Sequence, residues 1–308
     1  MTQPMHQGKR LFFFIIFIIL FIALIPVVLL YSTGYRLDKT LSLLPTGGIY
    51  VFYPETGAQL YIDGELSDQT SLFYRGIFVD NLPPDNYDIE VRKEGYTPWK
   101  KTVDVRAKKV AEGYPFLIPE VISTSTIPQF ITLTSGTSVT NGLYSAIIEL
   151  FSTSTLSATS TATSTLRSFI TGTTTQVIDS STASLVRKDI QVDLVDRKII
   201  ASWQGGTASR PFYFCDPLRT SCFDSFVVAE GDFKKVDFYP GRNDVILYTK
   251  KDGLYVTEID TRLPQNTIKL LSGTLDFETM GDRVFIREKG DYYELLFTAS
   301  STLNSISI

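Results

Sequence analysis

The stretch "LFFFIIFIILFIALIPVVLL", Leu11 to Leu30, contains no charged or polar side chain. It constrains the chain more than any other segment, because a helix that is apolar all round has no face to turn toward water. Twenty helical residues span about 30 Å, the thickness of a bilayer core. Eighteen of the twenty are Leu, Ile, Val or Phe. At roughly −0.3 to −0.6 kcal/mol each, these favour insertion by about 5 to 11 kcal/mol. A transmembrane helix is expected over 11–31, behind a cytoplasmic tail of residues 1–10. The alternative, a cleaved signal peptide, needs a shorter apolar region and an A-x-A-like cut site, which "YSTGYRLD" does not supply. Lys9 and Arg10 precede the run, and Arg36 and Lys39 follow it. The charge count is a tie, and the basic pair abutting the helix favours an N-terminus inside. The expected location is the cell membrane, single-pass, with the bulk outside the cytoplasm.

The formal net charge is −4 with no basic block, which argues against a nucleic-acid partner. The single histidine, His6, sits in the polar tail before the apolar run. A His-dependent catalytic triad or a His-rich metal site inside the fold is therefore excluded. With 21 Phe, 16 Tyr and many Val, Ile and Thr, the composition leans toward strands. The expected class is mainly β.

From Gly47 to Pro119 short strands alternate with turn signals. "GGIYVFY" ends at Pro54, and "AQLYI" ends at Asp63-Gly64, a strong hairpin dipeptide. "FYRGIFV" is followed by the turn cluster Pro83-Pro84-Asp85-Asn86. In "YDIEVRK" Tyr87, Ile89 and Val91 share one face, and in "TPWKKTVDV" Val103 and Val105 alternate. This predicts a half-buried antiparallel sheet of about five strands over 47–119. Lys100, Lys101, Lys108 and Lys109 read as a solvated face. The segments Pro54-Glu55-Thr56-Gly57-Ala58, "YIDGE", "LPPDNYDIEV" and "KEGYTPW" together resemble the PEGA domain. Asp85 stands where that family usually has Gly, and Thr70-Ser71 replaces a usual Thr-Pro. The resemblance implies a small β-sandwich on a bacterial envelope protein, acting as a spacer or binding module with no active site. Tyr96 and Trp99 are the candidate ligand-contact aromatics, with cover for the edge of a small core as the other reading.

Between Val121 and Val186, 31 of 66 residues are Ser or Thr, too few apolar groups to offset chain ordering in most of the stretch. Residues 120–187 read as a Ser/Thr-rich linker or irregular segment, with "LYSAIIELF" (143–151) as one helix or strand. Beyond it three segments rhyme: "VDL" at 192–194, "VDF" at 236–238 and "LDF" at 275–277. Each precedes an apolar strand, then a second one: "PFYFC", "GLYVTEI" and "DYYELLF". A period near 40 residues is blade-like. The stretch "FYPGRNDVILYTKKDGLYVTEID" resembles single blades of bacterial β-propellers of the TolB or WD-repeat kind. Residues 188–299 are therefore expected as three blade-like units, β-propeller-like, an open sheet stack or a β-sandwich, before a tail of 300–308. Cys215 and Cys222, with six residues between them around a Pro-containing turn, lack metal or thioredoxin spacing. A disulfide that persists outside the cytoplasm is expected, with two free thiols as the alternative.

The expectation for function is a membrane-anchored, non-catalytic envelope protein. Its β domains would bind cell-wall polysaccharide or surface proteins, without a cofactor or metal. A carboxylate-dependent glycan hydrolase would need a pair such as Asp63/Glu65 or Glu258/Asp260, which read as turn and surface acids. A sensor or receptor subunit would need a membrane partner to carry its signal.

Overall fold

The structure, a computed structural model, describes residues 7–37, 42–71, 74–132, 138–156, 175–179, 182–216 and 221–297. His6, the Ser/Thr-rich stretch 157–174 and the tail 300–308 lie outside them. The described part is mainly β, with one N-terminal apolar helix and several small, mostly antiparallel sheets.

Helix α1 runs from Gln7 to Ser32, and none of its apolar span Leu11–Ser32 is buried within the protein. By length and composition it suits a membrane anchor or a signal sequence. Its last carbonyls are closed locally: Thr33 Oγ1 donates to Leu29 O at 2.8 Å and to Leu30 O at 3.0 Å. Gly34 then takes φ +80°, the left-handed exit that favours glycine. A two-strand ribbon follows, β1 (Tyr35–Leu37) against β2 (Leu43–Pro45).

The first β module is two facing sheets rather than the single five-strand sheet expected from the sequence. One has β3 (Gly47–Phe52) at its centre. The second holds β4 (Gln59–Ile62), β5 (Glu65–Gln69), β7 (Asp85–Arg92) and β8 (Trp99–Val105), in the order β5-β4-β7-β8. On one side of β3 lies antiparallel β6 (Gly76–Leu82), and on the other lies parallel β9 (Val110–Gly113). The sheet splits because the chain crosses after β8, so both inner faces can bury. Ile49 and Val51 meet Leu60, Ile89, Val91, Trp99, Val103 and Val105 in one core. The Asp63-Gly64 turn joins Ile62 to Glu65 with φ of 50° and 85°, the hand that matches strand twist. Asp85 and Asn86, expected in a turn, already pair with Val105 and Asp104.

The described parts of 120–187 carry regular elements. They are β10 (Ser123–Thr126), the hairpin β11 (Phe130–Thr132) and β12 (Ser138–Thr140), helix α2 (Gly142–Leu156), β13 (Thr175–Asp179) and β14 (Thr182–Arg187). Helix α2 forms where the apolar cluster 143–151 lies, and its Ile147 and Phe151 are fully buried.

Three sheets follow the rhyming segments. The first comprises β13, β14, β15 (Ile190–Val195), β16 (Lys198–Trp203) and β17 (Ser225–Glu230). Here "PFYFC" is not a strand: Phe212–Phe214 form a 3-10 turn, and β17 takes the edge. The second comprises β18 (Lys235–Phe238), β19 (Val245–Lys250), β20 (Gly253–Glu258) and β21 (Thr267–Ser272). The third comprises β22 (Asp276–Met280), β23 (Arg283–Glu288) and β24 (Asp291–Leu296), completed by β10 pairing with β24. The middle sheet is buried on both faces, so β19 reads as a continuous apolar run. Val245 and Leu247 join the core of the first module and third sheet, and Ile246 and Tyr248 face the first sheet. Phe285 on β23 turns the other way, onto Ile147 and Phe151 of α2. The rhyme has a structural role. Phe238 and Phe277 are fully buried, and Asp237 accepts a 2.6 Å hydrogen bond from Thr279 of the neighbouring sheet. No closed ring of sheets occurs among the described residues.

The β19–β20 hairpin also carries a titratable clamp. Asp252 accepts from the Tyr255 hydroxyl at 2.6 Å and the Lys269 ammonium at 2.9 Å. These two donors push its carboxyl down to about 2. The folded value lies below the unfolded one, so the clamp's contribution is present above the unfolded value of about 3.9 and is lost as pH falls toward about 2. Asp252→Asn should slightly lower the melting temperature at pH values above about 4 and converge with the wild type toward about pH 2, so that the acid limb of melting temperature against pH is flatter.

Candidate functional site

Strand β8 is an edge of its sheet, and an edge presents unpaired backbone groups. The loop between β20 and β21 covers it. Thr102 N donates to Leu263 O at 2.8 Å, and the Asn266 side chain brackets Lys100, accepting from its N at 3.1 Å and donating to its O at 2.8 Å. The alternation of β8 places Trp99, Lys101, Val103 and Val105 on the buried face. Lys101 is thus not solvated: its residue is 1% exposed. Its ammonium has three N–H donors. They meet Glu258 Oε1, Arg262 O at 3.0 Å and Pro264 O at 3.0 Å. Asp260 Oδ2 lies 3.8 Å away.

Glu258 and Asp260 are not surface acids either. Glu258 accepts from Trp99 Nε1 at 2.9 Å and from Asn266 N and Nδ2 at 3.0 and 2.8 Å, besides Lys101. Asp260 is gripped by Arg262 through Nε and Nη2, and Arg262 Nη1 donates to Glu112 O at 2.7 Å. Two cations and two anions thus close a neutral buried network that joins the first module to the middle sheet. A second clamp lies beside it. Arg242 donates to Tyr114 O and Pro115 O at 3.0 and 3.3 Å and to both oxygens of Asp244. Burial works against its charge, and the Asp244 carboxylate overrides that, holding the guanidinium above the usual arginine value. Burial also raises the nearby Tyr213 hydroxyl well beyond the ordinary tyrosine range.

This junction reassigns the aromatics singled out from the sequence. Trp99 is 2% exposed and offers no face to a ligand; its indole N–H is spent on Glu258. Tyr96 is half-buried, packed on the core, with the Lys93 ammonium 4.7 Å above its ring. Asp63 and Glu65 flank the β4–β5 turn, where Asp63 accepts from Asp88 N at 3.0 Å. Cys215 and Cys222 are joined in a disulfide beside the Phe212–Phe214 turn. Among the described residues, no three His, Cys, Asp or Glu side chains cluster in a way that could hold a metal.

A different aromatic set faces outward. On the outer side of the β6-β3-β9 sheet, Tyr50 of β3 sits opposite Phe78 of β6, and Phe52 sits opposite Gly76. A Cβ on Gly76 would stand 2.5 Å from the Tyr50 hydroxyl, and one on Gly48 would stand 3.0 Å from the Phe78 ring. Each aromatic side chain therefore reaches across the sheet over a glycine, into space that a Cβ would fill. Phe78 is 56% exposed. The row continues past Phe52 to Tyr114, 6.2 Å away, which stacks on Phe212 at 5.3 Å and 16°. Phe52, Tyr114, Phe212, Tyr213 and Arg242 then line a cleft of about 530 Å³ between the module and the first of the three sheets, within the size range of ligand sites.

Residues 54–114 match the PEGA domain family model. The match takes in β4 to β9 and the residues of the β8 edge, while β3, the central strand under the aromatic row, lies just ahead of it. No curated protein matches the chain.

Removing one partner from the buried network should cost far more than removing the pair. Lys101→Met is expected to destabilise the protein by about 3 to 5 kcal/mol, because Glu258 is left charged and buried. Lys101→Met combined with Glu258→Leu should recover part of that loss, the remainder being the cost of leaving the buried Trp99 indole N–H without its acceptor. Chemical denaturation of the single and double variants measures the difference.

Proposed function

We propose that this chain is a membrane-anchored, non-catalytic β-domain protein that binds envelope polysaccharide on the aromatic face of its first module. The coarse frame is a PEGA-matching module and an N-terminal helix apolar enough to anchor it. The finer reading rests on the side chains of Tyr50 and Phe78, which extend along the outer face of the sheet over Gly76 and Gly48. Aromatic rings lying along a sheet offer broad apolar faces at low entropic cost, suited to the apolar faces of sugar rings. The run through Phe52, Tyr114 and Phe212 is long enough for more than one sugar, as a polymer requires. The non-catalytic reading draws on the carboxylates: Glu258 and Asp260 are buried and hold Trp99, Lys101 and Arg262 rather than facing a cleft. In this reading α1 places the module outside the cytoplasmic membrane, with the polymer and the membrane as its two partners.

The test is co-sedimentation of the full chain, in detergent micelles, with purified cell-wall polysaccharide. Tyr50→Ala and Phe78→Ala should each weaken retention by roughly threefold to tenfold, on the order of 1 kcal/mol per ring, with unchanged far-ultraviolet circular dichroism. Wild-type protein that does not sediment sinks the reading. Release of reducing ends from the polymer would transfer the protein to the hydrolases, and retention on surface proteins alone would make it a protein-binding module. Protease digestion of the β body from outside intact cells is the expected topology result.

A further inference from the structure

The exit of α1 is fastened to the first module rather than loosely tethered to it. Gly34 O accepts from both Thr46 N and Thr46 Oγ1 at 2.8 Å. Lys108 N donates to Thr46 O at 2.8 Å, and Lys108 Nζ donates to the Tyr35 hydroxyl at 3.1 Å. Arg36 lies 3.5 Å over the Tyr31 ring, donates to Tyr31 O and Tyr35 O, and reaches Asn81 at the end of β6. Four separate parts of the chain therefore meet at one point: the helix exit, Thr46 between β2 and β3, the end of β6 and the β8–β9 turn. Tyr35 is three residues past Ser32, so its position is at most about 10 Å of extended chain from the helix end. The headgroup layer on one side of a bilayer is about 5 to 8 Å deep.

Charge and apolarity sort themselves around this point. Arg36 and Lys108 sit at the exit, Lys109 is the next residue of the same turn, and both lysines are exposed. Of the acids nearby in the chain, Asp104 is held by Arg106 at 2.8 Å and Asp80 is exposed, while Asp38 and Lys39, which follow Arg36 in the sequence, offset one another. Leu43 and Leu44 of β2 are 48% and 40% exposed, although they pair with Leu37 and Arg36 beside the helix end. Exposed leucines next to a cluster of cations, at the point where an apolar helix leaves the protein, form an interfacial surface.

We propose that this end of the first module binds the surface of an anionic phospholipid bilayer, with Lys108, Lys109 and Arg36 on lipid phosphates and Leu43 and Leu44 at the acyl boundary. The proposal rests on α1 spanning the membrane. It goes further by making the module itself a lipid ligand, held at a set height and tilt. The continuity of the surface with the helix exit and its positive charge select a bilayer as the occupant.

The experiment uses the full chain in nanodiscs of phosphatidylcholine alone or of equal parts phosphatidylcholine and phosphatidylglycerol. Amide hydrogen exchange across the β8–β9 turn should slow roughly tenfold in the anionic discs relative to the neutral ones. Lys108→Gln with Lys109→Gln should erase that difference while leaving exchange in the β19–β20 core unchanged. A nitroxide on Leu44→Cys should be relaxed more by oxygen dissolved in lipid than by an aqueous nickel chelate. Equal exchange in both lipids, or a nitroxide reached mainly by nickel, overturns the proposal while α1 remains an anchor. Extraction of the chain from vesicles by an alkaline wash would remove the anchor and this proposal with it.

Discussion

Everything beyond the helix depends on one ammonium group being satisfied away from water. Lys101 lies on the inward face of an edge strand, and an unpaired charge there would outweigh most of what the surrounding apolar contacts supply. Glu258 and two loop carbonyls cancel that cost. The loop that brings them also covers the backbone of β8 through Leu263 and Asn266. A module with an open edge and a buried cation thereby becomes one half of a joint. Arg262 and Arg242 extend the joint to backbone carbonyls at Glu112, Tyr114 and Pro115. Since such networks are worth little as net stability compared with apolar packing, their contribution is directional: they set one relative orientation of module and sheets.

That orientation is what aligns the aromatic row. Phe52 and Tyr114 belong to the module, and Phe212 belongs to the connection between β16 and β17. Arg242 holds the carbonyl of Tyr114, the residue whose ring stacks on Phe212. The disulfide at Cys215 and Cys222 closes the loop directly after Phe212–Phe214, and Thr261 reaches the Cys215 carbonyl from the β20–β21 loop. The connection bearing Phe212 is therefore tied both to itself and to the loop that satisfies Lys101.

Much of the architecture was legible in the chain. The apolar run, the Asp63-Gly64 hairpin, the alternation of Ile89 and Val91, and the three rhyming strands each state their role in local spacing. Lys101 shows where local reading stops. Its flanking residues Trp99, Val103 and Val105 place it on the inner face, and that alternation was the available signal. Its residue type argued for water, and the partner that reverses the argument lies 157 positions away. Gly48 and Gly76 look like ordinary weak points in strands until the register shows which rings fold over them. Ser123–Thr126 has no apolar period at all, and its strand state comes entirely from the edge of β24. "PFYFC" failed as a strand because its aromatics pack in a tight turn, with Phe214 fully buried.

The pairing of β10 with β24 sets the order in which the nascent chain can be assembled. Ser123–Thr126 is made early, yet the strand it pairs with is made about 170 residues later, a separation that makes closure slow relative to hairpin formation. Until then the quartet of small hydroxyl residues remains wet. A segment that must wait this long for its neighbour is better served by serine and threonine than by valine or isoleucine, which would invite strands from other nascent copies. The polar composition that looks unpromising for a sheet is, on this view, what lets the last sheet be assembled out of order.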